Sequence, residues 1–319
     1  MTKKKKIWLI VAICLTIFGG IVLACSIVAV KGDFTKLSTV EYETNEHTIE
    51  TPFENISIIS DTADVVIVAS DSQTTKVVCH EEKSAKHTVS VQDNALTIKV
   101  HNEKKWYEYW FNFNSPKITV YIPQGEYAAL SVESDTGDVE IPKDFQFNSI
   151  NISGSTGDVA CYASVKERIK IKQSTGEISL SQLSAGTIEL TTSTGDIELS
   201  NVTALSDITI SVSTGDVDVS DVACAKFVSI GDTGDMALNN VIAIEKLFIV
   251  RSTGEITFRK CDAEEIYIET DTGDVRGSLL SEKTFVVETD TGEIDIPIGV
   301  IGGLCKITTD TGDIKITIE

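Results

Sequence analysis

Carboxylates recur along this chain at a fixed spacing, and that spacing limits the chemistry they can do. Ten times a Thr-Gly pair is followed by an acid and then an apolar residue, which places Asp138, Asp158, Glu177, Asp196, Asp216, Asp235, Glu255, Asp274, Glu293 and Asp313 at equivalent positions. A second acid precedes the Thr in five copies, at Asp135, Asp232, Asp271, Asp290 and Asp310. If the copies stack, the acids form a column in which neighbouring charges repel by roughly 0.9 kcal/mol at about 4.8 Å in water. Two arrangements offset that repulsion. Each carboxylate can accept turn N–H groups, as Asp commonly does. Alternatively, the column binds cations. Calcium takes about six to eight oxygen ligands, more than one turn offers, so adjacent Asp-Thr-Gly-acid turns would have to share the ion. Asp271, Asp274, Asp290, Glu293, Asp310 and Asp313 in the last three copies are the candidate calcium ligands.

Catalytic constellations are absent from the repeats. All four histidines, His47, His80, His87 and His101, precede the first copy, which removes Ser-His-Asp and Cys-His chemistry from the region. Polysaccharide-cleaving sites need an irregular pair or cluster of carboxylates, whereas here the acids recur identically in every copy. The chain therefore reads as non-enzymatic, with no catalytic and no cofactor-binding residues. His80 beside Glu81 and Glu82 offers a metal site or a solvated strand end. Seven cysteines without a CxxC pair argue against both a disulfide scaffold and a zinc site. Cys161, Cys224, Cys261 and Cys305 fall where other copies carry apolar residues, and they read as small buried hydrophobes. Trp106 to Phe113 holds six aromatics in eight residues, suited to sugar stacking, to a membrane interface or to packing over one end of the fold.

The element that must position the acids follows from the glycines. Gly137, Gly157, Gly176, Gly195, Gly215, Gly234, Gly254, Gly273, Gly292 and Gly312 are 19 or 20 residues apart. A fixed short period means that each unit buries its apolar side by stacking on its neighbours. Positions seven and five before each Gly, and two and four after it, are mostly aliphatic, as in Ile188, Leu190, Ile197 and Leu199 around Gly195. A further apolar residue seven after Gly (Leu183, Val202, Val222, Val241, Leu280) starts a short third segment. Period-two alternation predicts strands. The expected fold is all-β: a single-stranded, β-helix-like solenoid of about ten coils, preceded by an irregular N-terminal β region and one transmembrane helix. Asp61-Thr62-Ala63-Asp64-Val65 is a degenerate copy of the turn within that irregular region.

Charge and hydropathy divide the chain further. Ile7 to Val30 is free of charge over 24 positions and is preceded by four lysines. That length spans a hydrocarbon core of about 30 Å, and the lysines predict a cytoplasmic N-terminus with everything after Lys31 outside. The residues after Gly32 carry 22 basic against 48 acidic groups, a formal charge of −26, which repels nucleic acid and anionic lipid. The expected boundaries are a cytoplasmic N-terminus (1–6), an anchor (7–30), a stalk (31–52), an irregular β lead-in and cap (53–125) and the solenoid (126–319). A second reading of the anchor is lipidation at Cys25, because Val22-Leu23-Ala24-Cys25 resembles a lipobox, with Leu23 off the pattern.

Strand alternation also predicts what faces outward. Positions six and four before each Gly are polar in early coils, such as Ser131 and Glu133, and become Val228, Ile230, Phe248, Val250, Tyr267 and Val286 later. These predict one contiguous apolar stripe and a partner-docking surface. The segments Asn94-Ala95-Leu96-Thr97-Ile98 and Pro116-Lys117-Ile118-Thr119-Val120-Tyr121-Ile122-Pro123, followed by serial Thr-Gly-Asp turns, resemble the bacterial putative-adhesin family of envelope-anchored β-strand-repeat proteins over about residues 50–319. The resemblance implies binding or scaffolding in the cell envelope, with a link to envelope stress, and an envelope protein or polymer as partner. It supplies no catalytic residues. A calcium-dependent scaffold and a polysaccharide-acting enzyme are the alternatives.

Overall fold

The computed structural model describes residues 3–29, 40–102, 115–298 and 301–319. Helix α1 (Lys3–Ala29) contains a 22-residue stretch, Trp8–Ala29, long and apolar enough to cross a membrane. The rest is a β-solenoid of about nine turns. The aromatic segment 106–113 lies outside the described residues.

Each coil contributes one strand to each of two parallel sheets, joined at the Thr-Gly-acid turn. In the Gly195 coil, Thr187–Thr194 pairs in register with Asp207–Thr214 of the next coil, and Ile197–Ala204 pairs with the strand that begins at Val217. The inward residues Ile188, Leu190, Ile197, Leu199 and Val202 are each at most 1% exposed. Full burial of such a side chain contributes about 1.5–3 kcal/mol, and stacked coils repeat that contribution rung after rung.

A second corner follows the second strand. Gln182, Asn201, Asp221, Asn240 and Lys260, each six residues after its Gly, take left-handed φ values of 53–55°. Asn and Asp tolerate this conformation better than most residues. The bend turns Leu183, Val202, Val222 and Val241 inward. Leu280 does not join them. In its coil the register shifts, so Leu279 is buried and Leu280 is 44% exposed. Gly277 in the same coil leaves room for the Phe258 ring, which a Cβ would approach to 2.3 Å.

At the N-terminal end, β1 (Tyr42–Ile49), β2 (Asn55–Ser60), β3 (Asp64–Ser70), β4 (Thr75–Glu82), β5 (Ala85–Gln92), β6 (Ala95–Asn102), β7 (Lys117–Pro123), β8 (Gly125–Thr136) and β9 (Val139–Ile141) close the stack. β2 pairs parallel with β8, and β3 with β9, so the turn at Ala63 is a rung of the same ladder. The next rung, β6 and β7, still pairs parallel with β2 and β3, and beyond it pairing becomes antiparallel: β1 with β4, β4 with β7, and β5 with β6. Within the 31–52 segment, Tyr42–Ile49 is an edge strand of this cap. An antiparallel cap removes the parallel edge that the first coil would otherwise expose.

The C-terminal end departs from sequence order. Gly303–Thr311 pairs on one side with Glu265–Thr272 and on the other with Lys283–Thr291. The last coil of the chain thus lies between the Gly273 and Gly292 coils. Gly302 and Gly303 fit the chain into that gap, since a Cβ on either would come within 1.9 Å of the carbonyl oxygen of Glu282 or Glu264.

Candidate binding face and turn column

The glycine turns bring their backbones into contact. At Gly215 φ is +145°, and a Cβ would lie 2.1 Å from the Gly195 carbonyl oxygen, so both conformation and space require glycine. The main-chain ladder runs through the turns: Gly215 N–H donates to Thr233 O, and Val217 N–H to Asp235 O. The N–H of the intervening acid points the other way and needs an acceptor on the preceding rung. The Asp side chain supplies it. Asp138 N–H donates to Asp64 Oδ1, Asp158 to Asp138, Glu177 to Asp158, Asp216 to Asp196, Asp235 to Asp216, Glu255 to Asp235, Asp313 to Asp274 and Glu293 to Asp313, all at 2.7–3.1 Å. Among the described residues the chain of bonds stops above Glu177 and above Glu255, where the extra methylene carries the carboxylate past the next N–H. Burial, then the charges of Asp158, Glu198 and Asp196, hold the Glu177 carboxyl above its usual range.

The structure stacks the candidate calcium ligands as Asp274, Asp313 and Glu293, with the second acids Asp271, Asp310 and Asp290 exposed beside them. Both oxygens of Asp274 are engaged. Oδ1 accepts Asp313 N–H at 2.7 Å, and Oδ2 accepts Arg276 Nη2 at 2.5 Å. Arg276 also reaches Glu255 at 2.8 Å and so neutralises two members of the column.

Inside the turn, the residue three before Gly faces the core and serves the neighbouring rung. Gln173 Nε2 donates to Gly157 O at 3.2 Å, Thr309 Oγ1 to Gly273 O at 3.2 Å, and Thr289 Oγ1 to Gly312 O at 3.0 Å. Arg251 occupies this row at 1% exposure, with its guanidinium over Gly231 and a long bond to Ser229 Oγ at 3.4 Å. Burial holds its pKa below the usual arginine value. The sequence reading missed this row, although the run of Gln, Thr and Arg at one repeat phase marks it.

On the outer face, Val228, Phe248 and Tyr267 stand side by side on successive coils, and Ile230 is beside Val250. The Phe248 and Tyr267 rings stack at 4.9 Å and 11°. Lys246 Nζ lies 5.1 Å from the Phe248 ring centre and Lys306 Nζ 5.2 Å from that of Tyr267. The ring faces are thus occupied by each other and by ammonium groups, leaving ring edges and aliphatic methyls outward. Ile230 and Val286 are 49% and 51% exposed. Val286 does not continue the row. Because the last coil intervenes, Lys306 separates it from Tyr267, and the expected single stripe becomes a patch of five residues with Val286 apart.

The cysteines outside the helix, Cys79, Cys161, Cys224, Cys261 and Cys305, are all buried. Burial pushes the Cys161, Cys224 and Cys305 thiols up to about 12. Such thiols are inert. His80 faces outward, bonded to Thr44 Oγ1 at 3.1 Å and stacked on Tyr42 at 5.2 Å, away from Glu81.

Comparison with known families places this geometry. The Toastrack DUF4097 family matches residues 53–230 and 202–319, together nearly all of the β region. The chain belongs to the Toastrack DUF4097 family. Among solved structures, a putative adhesin from Parabacteroides merdae shares 12% identity at a TM-score of 0.50, covering 87% of this chain and 96% of that one. A putative adhesin from Parabacteroides distasonis shares 13% identity at a TM-score of 0.51, covering 88% and 98%. At these identities the likeness is one of fold. None of the curated proteins matches the chain.

Proposed function

We propose that this Toastrack protein is a non-enzymatic binding module of the bacterial cell envelope, held by α1 in the cytoplasmic membrane with its N-terminus inside and its solenoid outside. The observation that carries the reading is the outward patch of Val228, Ile230, Phe248, Val250 and Tyr267, which gathers apolar side chains from adjacent coils. Apolar groups gathered on adjacent coils suit contact with another protein better than a sugar, whose ring would need an unoccupied aromatic face. The lysines at the patch, Lys246 and Lys306, favour a partner with acidic groups at its rim. That the two solved structures of this fold are named putative adhesins agrees with binding as the role. The turn acids serve as backbone caps in this reading and not as ligands.

The test replaces Phe248 and Tyr267 together by Thr, a residue suited to outward strand positions. The variant is expected to keep its melting temperature within a few degrees while losing its crosslinked partner in intact cells. An unchanged crosslinking pattern with an intact fold would remove the patch from the account.

A further inference from the structure

The N-terminal cap holds a group of side chains that neither the repeats nor the binding face use. β4 carries Cys79 and Glu81 on its inward face, and β5, which belongs to the facing sheet, carries His87. The sulfur of Cys79, a carboxylate oxygen of Glu81 and a ring nitrogen of His87 lie within 4.8 Å of one another, and all three residues are buried. Glu81 Oε2 accepts His87 N–H at 2.5 Å and lies 2.7 Å from His87 Nδ1, while Oε1 accepts Asn45 Nδ2 at 2.7 Å. That contact engages one side of the His87 ring and leaves Nε2 on the other. That nitrogen is buried without a hydrogen-bond partner, on a side chain only 3% exposed. Cys79 is 0% exposed and is not in a disulfide.

We infer that Cys79, Glu81 and His87 form a binding site for a borderline divalent transition-metal ion of the zinc class. Sulfur, imidazole nitrogen and carboxylate oxygen are the ligand types zinc takes, with metal–ligand distances of about 2.0–2.3 Å. Such distances set donors roughly 3–4 Å apart, so side-chain rotation of an ångström or less closes the set. Mixed soft and borderline donors select against calcium and magnesium, which take oxygen. For Glu81 and His87 to share one ion, the ion takes the place of the hydrogen bond between Oε2 and Nδ1, while Asn45 holds the carboxylate by its other oxygen. Charge favours the ion as well. A thiolate, a carboxylate and a neutral imidazole around a divalent cation sum to zero, which lowers the cost of keeping the carboxylate buried. On binding, the Cys79 S–H bond breaks, its proton leaves to solvent and a sulfur–metal bond forms, with no change in oxidation state.

The site ties β4 to β5, and through Asn45 to β1, at the end of the stack where antiparallel pairing begins. It would therefore lock the cap. The sequence hid it because His80, the histidine adjacent to Glu81, points outward, whereas His87 reaches Glu81 from the facing sheet.

The experiment uses the full chain in detergent, stripped of metal and titrated with cobalt(II). One equivalent is expected to bind with a thiolate-to-cobalt charge-transfer absorption, and zinc is expected to displace it and to raise the melting temperature. Cys79→Ala should abolish the charge-transfer band, and His87→Gln should weaken cobalt binding by about tenfold or more. Far-UV circular dichroism of the metal-free variants reads the fold independently. If the wild-type chain binds no cobalt, or binds it without a sulfur band as the acidic turn column would, the site is refuted. A band that survives in folded Cys79→Ala would assign it to another cysteine and refute the site equally. Because the wild-type spectrum alone can fail, the inference stays testable even if a variant does not fold.

Discussion

One methylene distinguishes the acids that extend the turn column from those that interrupt it. Asp138, Asp158, Asp196, Asp216, Asp235, Asp274 and Asp313 each accept the next rung's N–H, whereas Glu177 and Glu255 do not. A net hydrogen bond at an exposed turn contributes about 0.5–1.5 kcal/mol, so Glu177→Asp is expected to stabilise the fold by about that amount in denaturant melts. Asp216→Asn keeps an acceptor oxygen and removes repulsion, and should change stability by under about 1 kcal/mol. Gly215→Val forces a side chain against the Gly195 carbonyl at a φ that only glycine adopts freely, at a cost of several kcal/mol. The Asn variant proving worse than the Val variant would contradict the capping account. So would a calcium-induced rise of many degrees that Asp274→Asn loses, since the column would then be made of ligands. Glu177 adds a pH dependence. Its folded-state pKa is raised, so the folded chain keeps a proton that the unfolded chain has released. This carboxyl's contribution therefore falls as pH climbs from the ordinary glutamate range through the raised value. Glu177→Gln should flatten that part of the melting profile.

At the scale of strands and turns, the two-sheet coil was legible because its apolar positions repeat with the glycines. The second corner was less so. Gln182, Asn201, Asp221, Asn240 and Lys260 share a backbone conformation and not a residue type, and only the Asn and Asp members advertise it. The position of the final coil was not legible from periodicity, because every coil presents the same inward pattern and any two can stack. Only the Gly302-Gly303 pair, needed where the chain slips between its neighbours, hinted at it. This order predicts an inverted protection pattern in hydrogen exchange. Amides of Gly303–Thr311, paired on both edges, should exchange more slowly than those of Lys283–Thr291, paired on one. Slower exchange in Lys283–Thr291 would restore sequence-order stacking.

At the scale of the whole molecule, a stack of near-identical coils spreads stability over many rungs and leaves function to whatever breaks the repetition. Three features do so here: the antiparallel cap with its Cys79, Glu81 and His87 group, the displaced last coil, and the apolar patch around Phe248 and Tyr267. The sequence exposed the patch because strand alternation alone assigns its direction. It overextended the patch to Val286 because the coil order was unknown. The cysteine distribution offers a direct probe of the functional reading. The five cysteines outside α1 are buried, so Val250→Cys introduces an accessible thiol on the patch, and Glu198→Cys introduces one on the other sheet. Intact cells expressing each variant would be treated with a membrane-impermeant, thiol-reactive photocrosslinker and irradiated. The account predicts that both variants are labelled from outside and that only Val250→Cys yields a discrete crosslinked species. Labelling only after lysis, or the same crosslinks from both positions, would contradict it.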